Sequence, residues 1–295
     1  MPPEPGSASD AAASFEPLRG SLIGLAYRML GSRAEAEDVV QDAYLRWHAA
    51  DRIAVREPRA FLSKAVTRLC LDLLKSARHR REDYVGSWLP EPVLDTGALS
   101  AGGAGEYAED LSVALLLALE RLSPLERAAF LLHDVFDMSF DEVADSLGRD
   151  AAACRQLASR ARSHVRQEKP RFQPTPEEEA KVFDAFSRAL GSGDLAGLVA
   201  VLAQDAALYA DGGGKATAVS RPLFGGERIA KFFAGLMRAR WSPHFTLRAA
   251  RVNGLPGLMA LEGDAVVQTM ALEVREGRIA AVYVTRNPDK LRHLH

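Results

Sequence analysis

The side chains that could do chemistry fall into three groups. In the last third of the chain, Tyr209, Asp211, His244, Glu262, Gln268 and Tyr283 are polar groups from which an acid/base pair could be drawn. They show no paired carboxylate and no metal-ligand spacing, so catalysis has no organising motif, and neither a cofactor nor a metal is expected. The cysteines, Cys70 and Cys154, lie outside any CxxC or Cys/His cluster, which fits buried thiols better than zinc ligands. A second group, Arg149, Arg155, Gln156, Ser159, Arg160 and Arg162, supplies long donors suited to phosphates and base edges in a major groove. The plainer alternative is a solvated basic helix. The third group pairs an acidic shoulder, Glu35, Glu37, Asp38 and Asp42, with basic positions Arg59, Lys64, Arg68, Lys75 and Arg78. Such residues make surfaces for macromolecules, or merely the two faces of a bundle.

Helices must position most of these groups. Ser123 and Glu126 form a capping box around Pro124, opening a helix through Leu125, Ala129, Leu132 and His133. Ser139-Phe140-Asp141-Glu142 caps a short helix through Val143, Ala144 and Leu147 that ends at Gly148, and another begins near Asp150. Helix, glycine turn and helix is the spacing of a helix-turn-helix. In the last helix Cys154, Leu157, Ala161 and Val165 share the inward face, leaving the arginines outside. Upstream, Ala34 to Trp47 is amphipathic, and Leu62, Val66, Leu69 and Leu73 form the stripe of a later helix. Downstream, Glu177 to Leu190 and Leu195 to Leu202 read as helices. Phe245 to Val252, Gly257 to Glu262, Ala265 to Val274 and Ile279 to Val284 read as strands.

At 295 residues, 47% hydrophobic and 26% charged, the chain is long enough for two or three domains. No apolar run reaches the roughly 18 residues of a membrane span, and the first residues lack a signal-peptide pattern. A cytoplasmic protein with no membrane partner is expected. The net charge of −2 argues against nucleic acid only if charge is evenly spread. It is not: Lys75, Arg78, His79, Arg80 and Arg81 end the first helical block, every formally charged residue from Glu82 to Glu120 is acidic, and arginines dominate from Arg149. Composition sets the boundaries: a disordered leader over 1–14, a helical block over 15–84, a Pro- and Gly-rich linker over 85–109, a second helical block over 110–171, and an α+β domain over 172–295.

The order of these pieces carries a resemblance. Ala34-Glu35-Ala36-Glu37-Asp38-Val39-Val40-Gln41-Asp42 with Leu45 and Trp47 resembles the polymerase-binding helix of bacterial extracytoplasmic-function (ECF) sigma factors. Pro58-Arg59-Ala60-Phe61-Leu62 through Leu71-Asp72-Leu73-Leu74-Lys75 is similar to their minus-ten-element helix. Leu122-Ser123-Pro124-Leu125-Glu126-Arg127 and the helix-turn-helix beyond are similar to their minus-thirty-five reader. The resemblance implies that Asp38, Val39, Gln41, Asp42 and Leu45 dock on core RNA polymerase. It places Arg59, Phe61, Lys64, Arg68, Lys75 and Arg78 at the melted promoter element, where stacking and positive charge hold single strands. Arg149, Arg155, Gln156, Ser159, Arg160 and Arg162 would then meet the upstream duplex.

Beyond residue 171, two or three helices followed by a curved sheet resemble the SnoaL-like branch of the nuclear-transport-factor-two fold, a cone with an apolar pocket. Three signatures sharpen this: Trp88-Leu89-Pro90-Glu91-Pro92, Asp211-Gly212-Gly213-Gly214-Lys215 and Asn287-Pro288-Asp289-Lys290-Leu291. Together they identify the chain as a member of the ECF subgroup with a fused SnoaL-like domain, the ECF forty-one or SigJ-like group. The glycine loop can dock a partner backbone or an anion, or be a plain hairpin turn. Trp88 is a hydrophobic anchor or a linker side chain covering its own domain, and the Asn287 segment is a helix start or a latch. The expectation is cis regulation, with loop and tail packed on the first helical domain and the Trp88 linker, a small ligand in the pocket as one further use, and no separate anti-sigma factor required. The rivals are a ligand-sensing helix-turn-helix regulator that acts without polymerase, and an enzyme with helical appendages.

Overall fold

In a computed structural model of the chain, the described residues are 8–82, 84–94, 97–99, 110–168, 174–240 and 245–294. They form two compact units, Met1–Arg80 with Thr96–Lys169, and Arg81–Asp95 with Pro170–His295.

The first unit is all helical: α1 (Ala8–Leu30), α2 (Arg33–Ala49), α3 (Pro58–Glu82), α4 (Val113–Glu120), α5 (Pro124–Phe130), α6 (Phe140–Leu147) and α7 (Ala151–Glu168). Helix α1 corrects the expected leader, because residues 8–14 are helical and only 1–7 lie outside the described residues. The reason is burial: Ala11 and Phe15 sit in the core, and Trp47 Nε1 donates to Ser14 Oγ at 3.1 Å. Ser32 caps α2, accepting the Glu35 N–H at 3.2 Å. In α3 the buried row is Leu62, Val66, Cys70 and Leu74 at i, i+4 spacing, while Leu69 and Leu73 are half-buried. The stripe is therefore rotated slightly from the expected one.

Both capping boxes form, Ser123 with Glu126 and Ser139 with Glu142. The Ser123 hydroxyl bond also holds the Glu126 carboxyl below its ordinary pKa. After α5 the helix widens into one π turn, Leu131–Val135, and Gly148 closes α6 at φ +62°, where only glycine sits without strain. Two buried guanidiniums tie the halves of this unit together. Arg127 donates to Met29 O at 2.5 Å and pairs with Glu120 at 3.1 Å, while Arg28 donates to Leu99 O at 3.0 Å. A Cβ at Gly24 would lie 2.2 Å from that same Leu99 oxygen, so glycine lets the 97–99 turn lie on α1.

The second unit is α+β. Helices α8 (Pro176–Ser192) and α9 (Leu195–Val201) lead into β1 (Leu202–Asp211), β2 (Leu223–Phe224), α10 (Gly226–Arg240), β3 (Phe245–Val252), β4 (Leu255–Glu262), β5 (Ala265–Arg275) and β6 (Arg278–Thr285). The strands order as β2-β1-β6-β5-β4-β3, antiparallel except for the parallel β1–β6 pair. One face of the sheet packs on the helices through Phe186, Leu190, Ile229, Phe233, Leu272 and Val282. On the other lies a smaller cluster, Leu261, Val266, Leu291 and Leu294, with Leu94 and Met259 against it. Residues 85–94, expected to begin the linker, and Tyr84, expected to end the first helical block, thus belong to this domain. Among the described residues no helix is long and apolar enough to cross a membrane, and no group of three His, Cys, Asp or Glu could hold a metal.

Candidate functional site

The three short signatures meet within the second unit. Strand β1 ends at Asp211, wholly buried, and strand alternation turns its side chain away from Leu208 and Ala210, which join the helix-facing core. The carboxylate takes the Leu89 N–H at 2.9 Å on Oδ2 and the Tyr84 hydroxyl at 2.5 Å on Oδ1. Lys290 Nζ reaches Oδ2 at 2.8 Å and also donates to Leu89 O. The same ammonium lies 4.4 Å from the Trp88 ring centroid and 5.1 Å from that of Tyr84, an arrangement for cation–π attraction. Asn287 caps the turn at Pro288 and donates from Nδ2 to Tyr84 Oη at 2.9 Å. Burial, then the bond to Asp211, pushes the Tyr84 phenol well above its ordinary value.

Glycines make this approach possible. A Cβ at Gly213 would stand 2.2 Å from Asn287 Nδ2, and its φ of +57° is left-handed. Lys215, beyond the glycines, pairs with Asp289, and this bond holds the Asp289 carboxyl below its usual range. Further along the linker, Val93 and Asn253 exchange two bonds, Asn253 N to Val93 O at 2.7 Å and Val93 N to Asn253 Oδ1 at 3.2 Å, and His293 Nε2 meets Pro92 O at 2.8 Å. Pro90, Glu91 and Pro92 are buried along this path.

The acid/base candidates are not brought together. Tyr283 donates to Glu273 Oε2 at 2.7 Å and stacks on Tyr209, its phenol raised by burial and then by Glu273. Glu262 is exposed, and His244 lies outside the described residues. Gln268 instead lines a cavity of about 640 Å³ between the sheet and α10, where Thr217 and Arg286 are the other polar residues among the described lining.

In the first unit, Asp38, Gln41, Asp42 and Leu45 share an exposed face of α2. Val39, expected with them, is instead buried, because it sits on the inward stripe with Ala36, Val40 and Ala43. On α3, Arg59 donates to Phe136 O at 3.0 Å, Lys64 pairs with Asp145 at 2.6 Å, and Arg68 Nε donates to Ser146 O at 3.3 Å. Phe61 is half-buried against Trp47, Lys75 pairs with Asp72, and the Arg78 side chain lies outside the described residues. On α7 and the turn before it, Arg149, Arg155, Gln156, Ser159 and Arg160 are exposed. Arg162 departs from that set: it is half-buried and bonded to Asp134 at 2.5 Å.

Residues 15–80 match the family model of sigma-70 region 2, and residues 112–165 that of sigma-70 region 4. The chain is 40% identical over 290 residues to the ECF RNA polymerase sigma factor SigJ of Mycobacterium tuberculosis, across 94% of this chain and 92% of that protein. This chain belongs to the ECF sigma factors. As such it binds core RNA polymerase and promoter DNA and initiates transcription. The sigma factor is also 32% identical to a probable ECF RNA polymerase sigma factor, SigI, of the same species, across 95% of this chain and 94% of that one. The crystal structure of Mycobacterium tuberculosis SigJ aligns at a TM-score of 0.74 and 37% identity, covering 95% of this chain and 98% of that one. Two all-α sigma regions followed by a SnoaL-like α+β cone are thus the architecture of this sigma factor.

Several residues that build its linker contact carry little sequence signal. Tyr84 follows Glu82-Asp83 after a basic run, and His293 lies two residues before His295 in no recognisable motif. Asn253 was readable in principle, since Asn253-Gly254 between two strands is a tight hairpin signal, and Asn253 has φ +52°. That its amide also grips Val93 depends on 160 residues of intervening chain.

Proposed function

We propose that the SnoaL-like domain regulates this sigma factor in cis by fixing the path of the linker between its two helical regions. The observation that carries the reading is the buried Asp211 carboxylate, bonded at once to Leu89 N–H, Tyr84 and Lys290. Pro90 and Pro92 restrict the segment to extended backbone, so little entropy is lost when it docks. An extended chain spans at most about 3.6 Å per residue. Withdrawing residues 84–94, eleven positions counted inclusively, shortens the reach of the tether by up to about 40 Å. Regions 2 and 4 must each meet their own promoter element, so tether length limits which arrangements they can share.

Asp38, Gln41, Asp42 and Leu45 form the polymerase-docking face in this reading. Arg59, Phe61, Lys64, Arg68, Lys75 and Arg78 serve the minus-ten element, and Arg149, Arg155, Gln156, Ser159 and Arg160 the upstream duplex. The bonds from Arg59, Lys64 and Arg68 to the helix-turn-helix region favour a compact arrangement, which polymerase and DNA would shift to an open one. Regulation of this kind is not enzymatic and requires no separate anti-sigma factor. Its place of action is the cytoplasm, with the polymerase. The test is in vitro transcription with core enzyme, comparing the full chain with one ending at Arg171. A changed transcript yield supports cis regulation, and identical polymerase binding with identical transcription overturns it.

A further inference from the structure

The cavity in the second unit is walled by Phe232, Phe233, Phe245, Leu247 and Met270, and its volume of about 640 Å³ falls within the range of sites that enclose drug-sized molecules. Its polar groups are not scattered. Leu247 pairs with Ala260, and Ala260 with Gln268. Thr269 pairs with Thr285, so Gln268 and Arg286 are the next residues in that register. Leu247, Ala260, Gln268 and Arg286 thus form one row across four strands, all lining the cavity, with the polar pair at one end and apolar side chains along the rest.

We propose that this cavity is a receptor site for a drug-sized, mostly apolar carboxylic acid whose carboxylate is held by Arg286 and Gln268. A guanidinium presents paired donors that match a carboxylate, and the Gln268 amide adds another. No Asp or Glu is among the described residues lining the cavity. Neutral ligands of equal size gain the apolar wall alone.

The same arginine connects the cavity to the linker contact. Its backbone N–H donates to Asp211 O at 2.7 Å, and its guanidinium donates to Thr217 O at 2.5 Å, at the far end of the glycine loop. A carboxylate in the cavity competes with Thr217 O for the guanidinium and so loosens residues 212–217. This coupling rests on the cis-regulatory reading; the binding claim does not.

The experiment uses the full chain and calorimetric titration with four probes: dodecanoate and dodecanol as an acyl pair, and 2-naphthoate and 2-naphthalenemethanol as a ring-bearing pair. Whichever acid fits the cavity should bind about ten- to a hundredfold tighter than its own alcohol, the gain of a charge-assisted bond. Arg286→Gln should erase that preference while leaving the alcohol's affinity intact, and the milder Gln268→Leu should reduce it, keeping the test open if the arginine variant folds poorly. Ala260→Phe, which fills the middle of the row, should weaken acid and alcohol together. Equal binding of acid and alcohol, no binding of either acid, or acid binding unaffected by both Arg286→Gln and Gln268→Leu would overturn the site. Hydrogen exchange reads the coupling: the acid should speed exchange at Lys215 and Ala216 and the alcohol should not, whereas acid binding without that change overturns the link to the linker contact. Failure of the Arg171 truncation to alter transcription would remove regulation without touching the titration result.

Discussion

Lys290 bonds the Asp211 carboxylate at 2.8 Å with its ammonium 4.4 Å from the centre of the Trp88 ring, so one cation joins all three signature segments. Both charges are buried. Removing one member of a buried pair leaves the other without compensation, at a cost of about 3–5 kcal/mol. Lys290→Met should therefore lower the stability of the second unit by that order in denaturant unfolding. It should also open the linker near Trp88 to limited proteolysis. Loss of stability with the linker still protected would show that the pair serves the fold alone.

Gly213 and Gly214 separate contact from backbone strain. Both have positive φ, yet a Cβ at Gly213 would collide with the Asn287 amide, whereas at Gly214 the nearest atom is a Val85 carbon at 3.4 Å. Gly214→Ala should cost about 1 kcal/mol, the strain of a left-handed non-glycine residue. Gly213→Ala adds displacement of Asn287 from Tyr84 and should cost about 2–3 kcal/mol in all. Equal destabilisation of the two variants would mean that Asn287 moves aside freely.

Tyr84 gives the linker contact a pH signature. Its phenol is raised in the folded protein, by burial and then by Asp211, above the ordinary value near 10. Between those two values the folded chain holds a proton that the unfolded chain has released. Stability from this group is thus complete below about pH 10 and falls as pH rises further. Tyr283 behaves alike for its own reason, burial beside Glu273. In an ultraviolet titration, Tyr84 and Tyr283 should both ionise late, and Tyr84→Phe should remove one of the two. Retention of both late phenols in that variant would place the shift elsewhere.

What the sequence revealed, and what it hid, follows from the range of the interactions. Capping boxes at Ser123 and Ser139 are local chemistry within four residues, and both form as read. Strands β3 to β6 announced themselves by alternation and glycine turns. Strand β1 did not: Leu202 to Asp211 is rich in alanine, which favours strands poorly, and its place beside β6 is decided by pairing across some 70 residues. Helix phase also set a limit. Val39 lies among acidic neighbours in a motif yet faces inward, because α2 turns 100° per residue regardless of motif membership. That the segments of Asp211, Trp88 and Lys290 meet was expected from the three signatures, as loop and tail packed on the Trp88 linker. Their joint dependence on one buried carboxylate is a tertiary fact.

The face of α2 yields a clean contrast. Asp38 and Asp42 are exposed, so Asp38→Lys with Asp42→Lys should leave thermal unfolding within about 0.5 kcal/mol of wild type while abolishing co-purification with core polymerase. Val39→Ala removes buried methyl groups and should cost about 2 kcal/mol of stability with polymerase affinity largely kept. If the acidic pair could be reversed without loss of polymerase, docking would have to lie on another face.

Helix α7 allows the same discrimination for DNA. Arg160 is 63% exposed and its partner Glu126 is already committed to the Ser123 cap, so the arginine is available to a phosphate at little cost to the fold. Arg155 lies on the same exposed side, its guanidinium 5.6 Å from the Phe140 ring centroid. Each should lower holoenzyme binding to a minus-thirty-five duplex when changed to alanine. Where the contact is to phosphate, the slope of log affinity against log salt should fall by about one. Arg162, half-buried on Asp134, should behave differently: Arg162→Ala leaves a largely enclosed carboxylate short of its cation and should destabilise the first unit, with the salt slope unchanged. A salt-slope change for Arg162→Ala equal to that for Arg160→Ala would show that the Asp134 bond breaks when DNA binds and that α7 presents a wider surface than its resting structure exposes.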